Sequence, residues 1–124
     1  MGPLAGPVVA AAVVLPPETH VDGVADSKVL KAAVREELDR EIRRRARGVG
    51  IGVVEVTEID VLNIYQAGLE AMRRALAALG FQPGYVLVDG REIPNLAVPQ
   101  SAYPKGDAFV ASIAAASIVA KVYR

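Results

Sequence analysis

The feature that most constrains this chain is an unbroken apolar run near its beginning. Residues 8–15 read Val-Val-Ala-Ala-Ala-Val-Val-Leu, and Pro16 and Pro17 close the run. A run without polar alternation predicts a short strand that other elements cover on both faces. No basic segment precedes it and it is too short to span a bilayer, so we expect neither a signal peptide nor a membrane partner.

The rest of the chain alternates helical and strand patterns. We predict a first helix that Asp26 or Ser27 caps and that stops at Gly48, followed by a strand over 48–56. A second helix should run from a capping box at Thr57 and Asp60 to Gly80. Strands over 85–88 and 96–98 and a helix over 108–124, capped by Asp107, complete the order. This order predicts an α/β fold. With 52% of its 124 residues apolar and no repeat or linker, the chain is expected to form one domain over residues 1–124.

Charge and cysteine content exclude several functions. The formal net charge is zero, so any nucleic acid must meet a local patch rather than a bulk positive field. One such patch is the arginine cluster at residues 43–47, although the helix dipole already favours cations at a helix end. There is no cysteine, which excludes disulfides and thiolate metal sites and is compatible with the cytoplasmic location that we expect.

Two features bear on ligand binding. Glycines at positions 48, 50 and 52 suggest a dinucleotide fingerprint, but that fingerprint needs a strand before the glycines and a helix after them. Here a predicted helix precedes them and a strand follows, so we reject it. Asp89 follows the Tyr-Val-Leu-Val strand and places a carboxylate at the carboxyl end of a buried strand, where open α/β sheets bind ligands.

Six ordered blocks resemble the type 2 ribonuclease H family. They are residues 2–12, Asp26-Ser27-Lys28, Glu58-Ile59-Asp60 with Asn63-Ile64, Leu87-Val88-Asp89-Gly90, Lys105-Gly106-Asp107, and residues 113–122. The resemblance covers nearly the whole chain. It implies a ribonuclease H-like mixed sheet with flanking helices, and an endonuclease that hydrolyses the RNA strand of RNA/DNA hybrids and ribonucleotides embedded in DNA.

The resemblance also implies roles for particular residues. Asp89 maps onto one of the four carboxylates that hold two Mg²⁺ or Mn²⁺ ions, which makes it the catalytic and metal-binding candidate. The candidates for substrate binding are Gly2, Ser27, Lys28, Asn63 and Lys105. The lysines could instead be solvated, and Ser27 and Asn63 could instead serve local caps. Asp26 and Asp107 are better explained as helix caps than as metal ligands.

The chain departs from the family pattern at both ends, and we interpret it as truncated there. The family's first strand, with an Asp-Glu pair and most of a Gly-Arg-Gly loop, has no counterpart before Pro3, and a further family aspartate would follow Arg124. A lone carboxylate cannot hold two divalent ions, so we expect no nuclease activity from this polypeptide alone. The missing strand is central in the family, so we expect exposed strand edges and self-association.

A non-catalytic nucleic-acid-binding module and an unrelated nucleotide-binding domain remain the alternatives.

Overall fold

The computed structural model describes residues 6–17, 31–108 and 110–124, apart from the side chains of residues 60 and 108. Within these ranges the elements are β1 (Val8–Val14), α1 (Ala32–Arg45), β2 (Gly48–Val54), α2 (Val56–Ala77), β3 (Val86–Asp89), β4 (Gln100–Tyr103) and α3 (Ala111–Tyr123), with a 3-10 helix at Gly106–Ala108. The predicted α/β class, with helices flanking mixed strands, is confirmed.

The strands pair as two separate sheets in the described part of the chain. β1 runs antiparallel to β2, with Val8 opposite Val54 and Val14 opposite Gly48. β3 runs parallel to β4, with Asp89 opposite Tyr103. Each sheet has two strands, and β1 and β3 do not pair with each other. Among the described residues, no strand joins the two sheets.

Helices cover both faces of β1, as its unbroken apolar sequence predicts. Ala11 and Val13 pack against a cluster formed by α1 and α3, which includes Ile42 and Ile118. Val8 and Ala10 point the other way, because successive strand residues alternate between faces, and they pack against α2. All seven β1 residues nevertheless stay only partly buried, since the edge opposite β2 is open.

Glycines allow α2 to lie directly on β2. A Cβ atom built on Gly52 would fall 1.9 Å from the Ala71 carbonyl oxygen, and one on Gly50 would fall 2.0 Å from the Ala75 carbonyl oxygen. No side chain fits at either position, so the glycine-rich sequence permits close helix packing. The rejection of a dinucleotide fingerprint agrees with this, because α1 precedes the glycines and they lie within a strand.

The long second helix differs from its prediction at three points. Its capping box joins Glu55 to Glu58, two residues before the predicted box at Thr57 and Asp60. The helix is kinked at Asn63, whose φ of 60° and ψ of 167° are not helical. It ends at Ala77 rather than at Gly80, where φ is 83°. The capping box lies closer to the N-terminus than predicted because Arg74 binds the Glu58 carboxylate beside the Glu55 backbone nitrogen.

One predicted helix cap is wrong and another falls outside the described residues. Helix α1 begins at Ala32 after Lys31, with no side-chain cap, and the predicted caps Asp26 and Ser27 lie outside the described residues. It ends at Arg45, and Gly48 already belongs to β2. Helix α3 begins at Ala111 after Val110, also without a side-chain cap, because Asp107 is part of the preceding 3-10 helix.

The predicted edge strand over residues 96–98 is also wrong, because the strand lies at Gln100–Tyr103. Leu96 packs onto the cluster around Leu69, Val88 and Ile93 without strand pairing. The Gln100 side chain accepts a hydrogen bond from the Ile93 backbone nitrogen at 2.7 Å and donates one to its carbonyl oxygen at 2.8 Å. These bonds tie the loop to the sheet as a strand ladder would. No helix in the described ranges is long and apolar enough to cross a membrane.

Candidate active site

Asp89 lies at the carboxyl end of a strand, as the sequence predicts, but that strand is only partly buried, since Leu87 is 40% exposed. β3 ends at Asp89, and Val88 is buried. Gly90 has a φ of 99°, a conformation that glycine adopts without strain, so the chain turns sharply after the aspartate. The Gly90 nitrogen donates a hydrogen bond to the Tyr103 carbonyl oxygen at 3.0 Å, which continues the pairing of β3 with β4 past Asp89.

The Asp89 carboxylate is held from the turn after β4. The Gly106 backbone nitrogen donates a hydrogen bond to Asp89 Oδ1 at 2.9 Å. A Cβ atom on Gly106 would lie 2.8 Å from Ile113 Cδ1 and 3.1 Å from Tyr103 Cβ, so a side chain would crowd this turn. Gly106 therefore orients the carboxylate through its backbone. We did not predict this partner, although the Lys105-Gly106-Asp107 block contains it.

Parallel pairing of β3 with β4 brings two of the matched blocks to one end of the sheet. The turn after β4 carries Lys105, which is exposed and has a φ of 57°, and Asp107, which is 5% exposed. Both are adjacent in sequence to Gly106, whose backbone nitrogen donates a hydrogen bond to Asp89. Lys105 thus lies in an exposed turn at the same end of the sheet as Asp89, while Asp107 is buried in that turn.

Asp89 also lines a cavity between the two sheets. The cavity has a volume of about 630 Å³, and its lining includes β1 residues 9–14 and β3 residues 86–89. Met72 and Leu76 line it from α2, and Ile113, Ala116 and Ala120 line it from α3. Polar side chains also line the cavity, namely Arg47, Gln82, Ser112 and Ser117, and the rest of its lining is mostly apolar. Asp89 is therefore part of the lining of a large, mostly apolar slot.

Asn63 lies apart from this slot, since the residues that line it do not include Asn63. Its Oδ1 accepts a hydrogen bond from the Gln66 backbone nitrogen at 3.1 Å, which caps the part of α2 that follows the kink. This geometry favours the local role, and a substrate contact by Asn63 stays a prediction. Gly2, Ser27 and Lys28 lie outside the described residues.

The arginine cluster of α1 is engaged in ion pairs along the helix. Arg43 Nε lies 3.1 Å from Asp39 Oδ1, and Arg45 Nε lies 2.6 Å from Glu41 Oε1. Arg44 also bonds to Glu41, and this bond is the main cause of the lowered pKa of the Glu41 carboxyl. These pairs at helical spacing agree with a stabilised helix end better than with a phosphate-binding patch.

Comparison with known proteins decides the family. The family model described as Ribonuclease HII matches residues 1–124, the whole chain. The chain belongs to the ribonuclease HII family. Ribonuclease HII of Moorella thermoacetica is 55% identical over 123 residues, which are 99% of this chain and 60% of that protein. Ribonuclease HII 2 of Methylibium petroleiphilum is 58% identical over 123 residues, or 57% of its own length.

Solved ribonuclease H2 structures share the fold. The crystal structure of ribonuclease H2 from Pyrococcus horikoshii superposes with a TM-score of 0.82 at 27% identity, covering 99% of this chain and 67% of that one. Ribonuclease HII in its complex with PCNA from Archaeoglobus fulgidus gives a TM-score of 0.74 at 28% identity, covering 96% of this chain and 64% of that one. The chain thus spans about three fifths of the length of the curated relatives it matches.

The described residues do not by themselves fit the two-metal site that the ribonuclease HII resemblance implies. Asp89 offers the hard oxygen ligand that Mg²⁺ and Mn²⁺ prefer. However, the described residues contain no group of three or more His, Cys, Asp or Glu side chains that could hold a metal ion. Asp89 could be one ligand of such a site, and other donors would have to complete it.

Proposed function

We propose that this chain forms the part of a ribonuclease HII that contributes Asp89 to the active site. The reaction is endonucleolytic hydrolysis of the RNA strand in RNA/DNA hybrids, and of ribonucleotides embedded in DNA. One observation carries the proposal: in a chain that matches the family throughout, Asp89 stands at the carboxyl end of β3 with its carboxylate held by Gly106. We further propose that residues 1–124 are one incomplete catalytic domain and that it works in the cytoplasm.

Mg²⁺ or Mn²⁺ is the proposed cofactor, with Asp89 as one of its ligands. A carboxylate that already accepts a backbone hydrogen bond on Oδ1 has a fixed orientation, and ordered oxygen ligands favour divalent ions. A bound ion would stabilise the negative charge that develops on the phosphate during hydrolysis. Because Asp89 alone cannot hold two ions, we propose that the polypeptide by itself does not cleave hybrids.

Lys105 is the substrate-binding residue that the geometry supports best among those we predicted. It is exposed in the turn whose Gly106 contacts Asp89, and an ammonium group provides a point charge for a backbone phosphate. Gly2, Ser27, Lys28 and Asn63 remain proposed contacts with the RNA/DNA hybrid. Phosphate contacts of this kind would make binding weaken as salt concentration rises.

A chimera tests the proposal. Replacing the 123 matched residues of the Moorella thermoacetica relative with this chain supplies every flanking segment that a ribonuclease HII carries. We expect the chimera to cut a labelled RNA/DNA hybrid in Mg²⁺ or Mn²⁺, while the 124-residue chain alone gives no product. A folded chimera that leaves the hybrid intact would contradict the proposal, and the intact Moorella protein controls for the assay.

The second candidate is a non-catalytic module that binds hybrids without cutting them. The absence of a metal-binding group among the described residues favours this function for the chain on its own. Fluorescence anisotropy with a labelled hybrid distinguishes the two functions. Salt-sensitive binding without cleavage, in the chimera as well as in the chain, would support the binding module and exclude the nuclease.

A further inference from the structure

We propose that Arg91, together with Lys105, binds one backbone phosphate of the RNA strand, the phosphate next to the one that is cleaved. Arg91 lies two residues after Asp89, and Lys105 lies in the turn after β4 that holds the Asp89 carboxylate. Arg91 is not among the substrate contacts that the sequence predicts. The proposal rests on the proposed function, because it takes Asp89 to mark the cleaved phosphate.

The pairing of β3 with β4 brings the two cations to one end of the sheet. Asp89 is opposite Tyr103 in the parallel register, and the Gly90 nitrogen adds a hydrogen bond to the Tyr103 carbonyl oxygen. Arg91 and Lys105 each follow this pair by two residues. Two residues of chain reach no further than about 7 Å, so the Arg91 backbone stays close to Asp89.

Both side chains are exposed and free to meet an external anion. Within the ranges that the structure describes, the side chains of Arg91 and Lys105 form no hydrogen bond or ion pair. Glu92 follows Arg91 in sequence and is exposed, but it does not pair with it. A guanidinium and an ammonium without carboxylate partners keep their donors available for phosphate oxygens.

The arginines of α1 differ from this pair, because their own helix neutralises them. A chain with a formal net charge of zero binds a polyanion through cations that its carboxylates leave unpaired. Arg43 pairs with Asp39, and both Arg44 and Arg45 pair with Glu41. Arg91 and Lys105 lack such partners and lie at the same end of the sheet as Asp89. They therefore suit a substrate that reaches Asp89 better than the α1 cluster does.

The backbone of Lys105 provides an independent observation. Its φ of 57° is a left-handed conformation, which glycine adopts more readily than lysine. The local turn therefore does not account for a lysine at this position, whereas a role for its ammonium group does. Residues held in such conformations cluster at sites that bind ligands.

The chemistry of the two side chains is complementary on a single phosphate. Arginine donates two parallel hydrogen bonds to two phosphate oxygens, and lysine adds a compact point charge. A divalent ion on Asp89 would occupy the oxygens of the cleaved phosphate. Two cations that lie two residues beyond the Asp89 register pair reach the neighbouring phosphate instead.

Binding of a DNA duplex with one embedded ribonucleotide tests the proposal in the chimera with the Moorella flanks. The ribonucleotide fixes the cleaved phosphate, and Ca²⁺ replaces Mg²⁺ so that binding is measured without cleavage. We expect Arg91→Gln to raise Kd roughly tenfold and to lower the slope of log Kd against log salt concentration by about one. Arg91→Lys should keep the slope but bind less tightly than the native chimera, because it keeps the charge and loses the fork.

Two controls identify the phosphate and exclude a general charge effect. Arg40→Gln removes an exposed arginine of α1 and should change neither Kd nor the slope. A neutral methylphosphonate then replaces, in turn, the phosphate on either side of the cleaved one. At one of these two positions the native chimera should lose affinity, and a chimera with Arg91→Gln and Lys105→Gln together should lose nothing further.

The outcomes distinguish this proposal from the proposed function. A native chimera that cuts the duplex, together with an Arg91→Gln slope equal to the native one, would overturn the phosphate contact alone. Equal methylphosphonate losses in the native and doubly substituted chimeras would also overturn it. A native chimera that binds the duplex and does not cut it would contradict the nuclease function, while the salt slopes would still decide the role of Arg91.

Discussion

At the scale of the residue, the sequence predicts the position of Asp89 but not its hydrogen-bond partner Gly106. Asp89 could be predicted because a carboxylate at the end of an apolar strand rarely serves packing, and because it belongs to a block that matches the family. Gly106 could not be predicted as its donor, because the two residues are 17 positions apart and meet only through the register of β3 and β4. Asp107 looked like a cap, but α3 begins four residues later.

Asn63 provides a residue-scale test that separates strain from substrate contact. Its φ of 60° with ψ of 167° is a region that only glycine enters without cost. We expect Asn63→Ala to lower the free energy of unfolding by about 0.5–2 kcal/mol, since it loses the cap while the backbone strain is the same in both proteins. Asn63→Gly should lose only a few tenths of a kcal/mol.

Urea denaturation measures both variants, and equal stability of the Asn63→Ala and Asn63→Gly proteins would contradict the strained geometry. The glycine variant also isolates the predicted substrate contact, because it keeps the fold while removing the side chain. In the chimera with the Moorella flanks, we expect Asn63→Gly to weaken hybrid binding. Unchanged binding would show that Asn63 is only a helix cap.

Glu58 makes the stability of the chain sensitive to acid. Hydrogen bonds from Arg74, and then from the Glu55 backbone nitrogen, lower the pKa of Glu58 from 4.5 to about 2. A lowered pKa means that the folded state favours the charged carboxylate, so this stabilisation is complete above about pH 4.5 and is lost as pH falls towards 2. We expect Glu58→Gln to be less stable than the native chain at pH 6 and equal to it at pH 2.

Urea titrations at a series of pH values measure this difference. Arg74→Gln should remove the larger share of this acid dependence, because Arg74 Nη2 lies 2.6 Å from Glu58 Oε1, while the hydrogen bond from the Glu55 backbone nitrogen remains. A gap between the native chain and Glu58→Gln that stays constant from pH 6 to pH 2 would contradict the assigned ion pair.

At the scale of the element, the order of helices and strands followed from apolar periodicity, whereas their ends did not. The predicted strand over 96–98 failed because Leu96 is buried in an irregular loop, which composition cannot distinguish from a strand. The kink at Asn63 also escaped prediction, since the apolar stripe of α2 continues across it. Capping depends on side-chain partners that are distant in sequence, as Arg74 is from Glu58.

Two glycines of different elements test the packing of α2 on β2. Gly52→Ala would place a methyl group 1.9 Å from the Ala71 carbonyl oxygen, so the helix must move. We expect a loss of about 1–3 kcal/mol or more in the free energy of unfolding. Gly68→Ala, in the interior of α2 with no atom within 4 Å of the added Cβ, should instead stabilise by about 1 kcal/mol. Opposite signs in thermal denaturation confirm the packing, and a neutral Gly52→Ala would contradict it.

At the scale of the whole molecule, the two open strand edges predict self-association. We expect the chain to elute from a size-exclusion column ahead of a 13.0 kDa monomer and to do so increasingly at higher concentration. Leu87→Lys puts a charge on the edge strand β3 and should reduce association. Val61→Lys is the control, since Val61 is 85% exposed but lies on α2.

A folded monomer at all concentrations, or equal effects of Leu87→Lys and Val61→Lys, would contradict association through the sheets. Sequence could predict the interruption only through the family resemblance. Composition and periodicity predict strands but do not reveal which of them lack a neighbour.

The central claim, that Asp89 serves a divalent-ion site for hybrid cleavage, is tested most directly by Asp89→Asn in the chimera. Asparagine keeps the shape of the side chain and its bond to Gly106 but removes the ligand charge. We predict that the single-turnover cleavage rate in Mn²⁺ falls by at least about two orders of magnitude, a loss typical of removing one group that stabilises transition-state charge. Tm should be unchanged, and the exposed control Glu92→Gln should cut normally. An Asp89→Asn chimera that cuts the hybrid at the original rate would contradict the account.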